Sequence, residues 1–206
     1  AMETLASLPP ATNNSRVVQT GIYSGGKLGF ITIEGQGRNP RIDDLHAALC
    51  DSAIDNEVTS LALMGSNKGF QRQQTGQGCG SFTMVMPDTT ISLHAAMMAE
   101  RTRRAIEGDI REDGDILLCH WDDMVMSFKS DNIRLGRTHR VKLDNQGWEL
   151  RILAPAYASM VQEAEKNPHT ETGGVLVGHL SLARKCAIIT RILDAPPDST
   201  RSSSLF

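Results

Sequence analysis

The sequence predicts two mixed halves, α/β over residues 17–128 and α+β over residues 148–206. Three observations carry this expectation. Strand-like and helix-like apolar patterns alternate through the first half. The stretch 129–147 is rich in Lys, Arg, Asp and Asn and reads as a connector between domains. Beyond it the texture changes to strand, helix, strand, strand.

Residues 1–16, with Pro9-Pro10 and Asn13-Asn14-Ser15, read as a leading tail. Lys27 to Ile33 alternates as a strand and closes at Gly35-Gln36-Gly37. From Ile42 to Cys50, Ile42, Leu45, Ala48 and Leu49 fall at helical spacing, with Asp43 and Asp44 suited to a first turn. A short helix or strand runs through Val58–Leu63. Residues 65–81 form a polar, Gly-rich loop; a loop of that length is usually functional or disordered. Thr90–Glu107 predicts a helix with Ile91, Ala95, Met98, Thr102, Ala105 and Ile106 on one face. Asp115–Trp121 reads as a short buried strand. In the second half, Trp148–Leu153 predicts a strand and Pro155–Lys166 a helix, with Pro155 placed for a first turn. Thr172–Leu180 and Cys186–Leu193 predict two strands joined closely enough for a hairpin.

Composition narrows the function. Of 206 residues, 40% are hydrophobic and 22% charged, as in an ordinary globular protein. Aromatics are only 4%, so the core must rely on aliphatic residues and nine Met. A net charge of −3 without a long basic run argues against nucleic acid as partner. Cys50, Cys79, Cys119 and Cys186 form no C-x-x-C pair, which suits a reducing compartment. Cys50, Cys119 and Cys186 lie in apolar patterns and are expected in the core. No run approaches the ~20 apolar residues of a membrane span. The expected location is therefore cytoplasmic, with no membrane partner.

Glu171 stands at the mouth of an apolar strand, within Glu171-Thr172-Gly173-Gly174-Val175-Leu176-Val177-Gly178. By position alone it is either the polar start of that strand or a carboxylate whose burial suits it to proton transfer. Together with the preceding strand and helix and with Asp194-Ala195-Pro196-Pro197-Asp198-Ser199, the string resembles the opening of JAB/MPN-type zinc isopeptidases. The resemblance covers residues 148–206. It implies an incomplete JAB/MPN-like α+β domain in which Glu171 is the general base. The family's zinc ligands are a His-x-His and an Asp. No His-x-His occurs in the sequence, and His179 alone cannot supply three protein ligands. The expectation is that this chain holds no catalytic zinc by itself.

In the first half, Gly78-Cys79-Gly80-Ser81 precedes apolar Phe82–Met86 and the helix from Thr90. A Gly-flanked cysteine on a long loop suits acyl transfer, which needs an exposed, mobile and partly ionised thiol; it also suits a plain turn. The segment resembles the end of bacterial E1-like (ThiF-type) adenylation domains. The resemblance implies that Cys79 carries a ubiquitin-like protein as a thioester, and Lys68, Arg72 and Arg101 offer nearby positive charge. Neither a Walker A nor a G-x-G-x-x-G string occurs. The ATP-Mg and zinc that the resemblance implies therefore belong to a longer parent, and none is expected here. His46 and His94 are expected to cap or pack.

The order E1-like then JAB points to part of a fusion enzyme from a bacterial ubiquitin-like conjugation and deconjugation system. The partners implied are a ubiquitin-like protein and an E2-like protein, with a homodimer left open. Two alternatives stand beside it. One is a non-catalytic scaffold that binds a ubiquitin-like protein; the other is a JAB-type metal-dependent hydrolase with ligands outside this chain.

Overall fold

The computed structural model describes residues 6–7, 15–64, 72–74, 82–108, 112–143, 147–170 and 172–195, with backbone alone at 72–74 and 82–84. Two four-stranded sheets carry most of it, so the mixed α and β character is as expected. The first sheet is antiparallel. It comprises β1 (Val18–Tyr23), β2 (Leu28–Ile33), β5 (Gly114–Asp122) and β6 (Ser127–Leu135), in the order β1-β2-β5-β6. The second comprises β7 (His139–Leu143), β8 (Trp148–Ile152), β9 (Gly174–Ser181) and β10 (Cys186–Asp194), in the order β7-β8-β10-β9. Within it β8 and β10 run parallel, and β9 forms an edge. A small ribbon pairs β3 (Arg72–Gln74) with β4 (Phe82–Met84). Part of the expected 65–81 loop is thus strand.

Four helices are described: α1 (Ile42–Ser52), α2 (Glu57–Met64), α3 (Asp88–Glu107) and α4 (Ala154–Lys166). The alternation of the strands assigns them to layers. Leu28, Phe30, Ile116 and Leu118 point from one face of the first sheet into a core shared with Leu45 and Leu49 of α1. Ile31 and Ile33 point the other way, toward Met98 and Ala105 of α3. In the second sheet Cys186 and Ile188 join the α1 core, while Ile152 and Ile189 pack with Ala156 and Met160 of α4. Helix α1 therefore lies between the two sheets and is buried on both sides.

The start of α1 shows how that burial is tolerated. Its first N–H groups find carboxylates: Ile42 N donates to Glu34 Oε1 at 2.9 Å and Arg41 N to Asp44 Oδ2 at 2.8 Å. Glu34 is fully buried and also receives both Nε and Nη2 of Arg38, at 2.6 and 2.9 Å. Asp44, equally buried, accepts Arg151 Nε from β8 at 2.7 Å and the Thr138 hydroxyl at 3.1 Å. Such a pair adds little over apolar packing, but removing one partner typically costs about 3–5 kcal/mol. It joins α1 to the second sheet.

Several expectations are corrected. The stretch 129–147, expected as a connector, contains most of β6 and all of β7. Strand β1 was not anticipated; Gly21 lies so close over Phe30 that a Cβ there would sit 2.3 Å from its ring. Helix α3 turns Met98, Thr102 and Ala105 of the expected face inward, but adds buried Thr90 and His94 and leaves Ile91, Ala95 and Ile106 exposed. His94 fits because Gly29 has no side chain: a Cβ there would come within 2.3 Å of Nδ1. Its Nε2 lies 2.7 Å from the Gly26 carbonyl, and its ring packs on Phe128.

Candidate functional site

Cys79 and Glu171, the two residues singled out for chemistry, lie outside the described residues, as does Lys68. The residues that follow Glu171 in the chain, 172–195, are described. Thr172 Oγ1 donates to Glu163 Oε1 of α4 at 2.8 Å, and Asn167 Nδ2 donates to the same carboxylate oxygen at 3.0 Å. Glu163 thereby ties the entry of β9 to the end of α4; its position on an exposed helix turn gave no sequence signal. Gly174 and Gly178, rather than Gly173, are the close-approach glycines. A Cβ at Gly174 would lie 2.5 Å from the Leu193 carbonyl oxygen, and at Gly178 2.0 Å from that of Ile188, while at Gly173 it would meet none of the described residues. Arg101, offered as positive charge for Cys79, is paired instead with buried Asp115.

An apolar cavity lies elsewhere. A cavity of about 440 Å³ opens between α1 and the β9–β10 hairpin, with His46, Cys50, Val177, His179 and Ile188 in its wall. His46 and Cys50 stand four residues apart and so share one edge of α1. Cys50 is exposed, which corrects its expected place in the core; Cys119 and Cys186 are buried. The difference follows from helical phase, because Leu45 and Leu49 take the inward positions and Cys50 turns to the cavity.

The electrostatics of this cavity do not favour nucleophilic chemistry. Although one side of Cys50 is open, desolvation by the cavity wall around it pushes the thiol above its usual range, which disfavours the thiolate. Burial, with the charge of His179 added, pushes His46 down toward its neutral form. Its Nδ1 is buried without a hydrogen-bond partner among the described residues. Asp51 is committed to Arg191, at 2.9 Å from both Nε and Nη2, and to the Thr190 hydroxyl at 3.0 Å. The arrangement can hold an apolar group beside a neutral imidazole. Among the described residues no three His, Cys, Asp or Glu side chains converge on a metal position.

Comparison with protein-family models, with curated proteins and with solved structures found no match to this chain.

Proposed function

We propose that the chain is part of an E1–JAB fusion enzyme of a bacterial ubiquitin-like conjugation system. The observation that supports it is the order along the chain of β8, α4, the Glu171-Thr172-Gly173-Gly174 string, β9 and β10, with the three strands sharing one sheet. In this reading Cys79 carries the modifier as a thioester, and Glu171 moves a proton between the attacking water and the leaving amine. The reading requires a nucleotide site and metal ligands supplied by sequence outside residues 1–206.

The test uses the parent enzyme with ATP and a candidate ubiquitin-like protein. The expected product is a thiol-reducible adduct that disappears in Cys79→Ala, while Glu171→Gln abolishes cleavage of a modifier–amine conjugate and leaves the adduct intact. An adduct that survives Cys79→Ala removes the thioester assignment. The scaffold alternative draws on one observation: β9 is an edge strand, and its Val175, Leu176 and Leu180 are exposed. Edge strands accept extended peptides by backbone pairing. Modifier binding without adduct or cleavage would favour that alternative.

A further inference from the structure

A second cavity, of about 500 Å³, opens where α1 begins, beside β7, β8 and the β9–β10 turn. Five of its lining residues are arginines, Arg38, Arg41, Arg140, Arg151 and Arg184, and none of those named is lysine. They arrive from five separate segments of the chain: the turn before α1, the residue that opens α1, β7, β8 and the β9–β10 turn. Their partners are four carboxylates, Glu34, Asp43, Asp44 and Glu149. Among the described residues, five guanidiniums thus share four carboxylates, in a chain whose net charge is −3.

The five do different work. Arg38 and Arg151, with side chains 6% and 1% exposed, are held by two nitrogens each on Glu34 and Asp44. Arg41 is held by two nitrogens on Asp43. These three form a fixed floor. Arg140 uses only Nε, at 2.6 Å from Glu149 Oε1, and Arg184 only Nη1, on Asp43. The remaining nitrogens, Nη1 and Nη2 of Arg140 and Nε and Nη2 of Arg184, have no hydrogen-bond partner among the described residues. A guanidinium donates from a rigid planar fork that matches the oxygens of phosphate. Two such forks left open over a cationic floor suit a ligand carrying more than one negative charge.

We propose that this cavity binds a phosphate-bearing small molecule, gripped by the open N–H edges of Arg140 and Arg184. The proposal needs neither Cys79 nor Glu171 and does not rest on the isopeptidase reading. It is tested by calorimetric titration of the whole chain with inorganic pyrophosphate at low ionic strength. The expected result is saturable binding at one site per chain, weakening as salt is added. Arg140→Ala and Arg184→Ala should each weaken it at least tenfold, and Arg184→Lys, which keeps the charge but not the fork, by an intermediate factor. Arg104→Ala, on the exposed face of α3, should leave it unchanged. A nucleoside triphosphate that binds as tightly or more tightly supports the same site, and the difference reports any contribution of the nucleoside. The proposal fails if no saturable binding occurs, or if sulfate at matched ionic strength binds equally well. It also fails if Arg104→Ala weakens binding as much as the cavity variants, since affinity would then follow net charge alone.

Discussion

Asp43 stands in the first turn of α1 and faces two arginines, Arg41 beside it and Arg184 from the β9–β10 turn. Burial pushes its carboxyl up, but the bonds and charges of Arg41 and Arg184 outweigh this and hold it at about 2. An aspartate in the unfolded chain titrates near ~3.9. The folded value is the lower one, so the stabilisation is present above about pH 4 and is lost as pH falls toward 2. The shift corresponds to roughly 2–3 kcal/mol. Asp43→Asn should therefore be less stable at neutral pH, and its stability should fall less steeply between about pH 4 and pH 2. Urea unfolding at stepped pH measures this; parallel acid limbs for the two proteins would contradict the assignment. Asp43 and Asp44 were legible as first-turn residues because helix starts favour acids. Their arginine partners were not, since Arg151 and Arg184 lie more than a hundred positions away in the chain. Cys50 shows the same limit: an apolar helical pattern marks the buried side of α1 but not which neighbouring position turns outward.

At the scale of elements, helices α1, α3 and α4 could be read because apolar residues recur at their period and punctuation marks their ends. Gly108 closes α3 at φ 92°, a backbone state that glycine adopts without penalty. Strands β6 and β7 could not, because most of their side chains are exposed and charged or polar. Both are edge strands, where such residues discourage pairing with other chains; the same composition mimics a linker. Two glycines, one within β9 and one just before it, offer a direct comparison. Gly178→Ala would place a methyl group against the Ile188 carbonyl, whereas Gly173→Ala meets none of the described residues. The first should destabilise by about 1–3 kcal/mol through backbone displacement, and the second should be near neutral. Equal midpoints in denaturant for the two variants would show that β9 and β10 do not approach as described.

At the scale of the whole molecule, the sequence suggested a boundary near 129–147, and the chain does change sheets there, between β6 and β7. The core nevertheless crosses it. Leu49, fully buried on α1, belongs to one cluster with Leu28 and Ile116 of the first sheet and Ile188 of the second. Nothing in a local pattern reports such sharing, because it depends on where distant strands are laid. It has a measurable consequence. The two tryptophans fall one to each sheet, Trp121 in β5 and Trp148 in β8. Proteins with Trp121→Phe or Trp148→Phe thus report separately on the two sheets. If α1 couples the sheets, both reporters should unfold at one denaturant midpoint, as a cooperative transition requires. Leu49→Ala removes apolar volume at the shared layer, a change that costs about 2–5 kcal/mol. It should lower the midpoint seen by Trp121 and by Trp148 together. A shift confined to one tryptophan would mean that the sheets fold as independent units and that α1 belongs to only one of them.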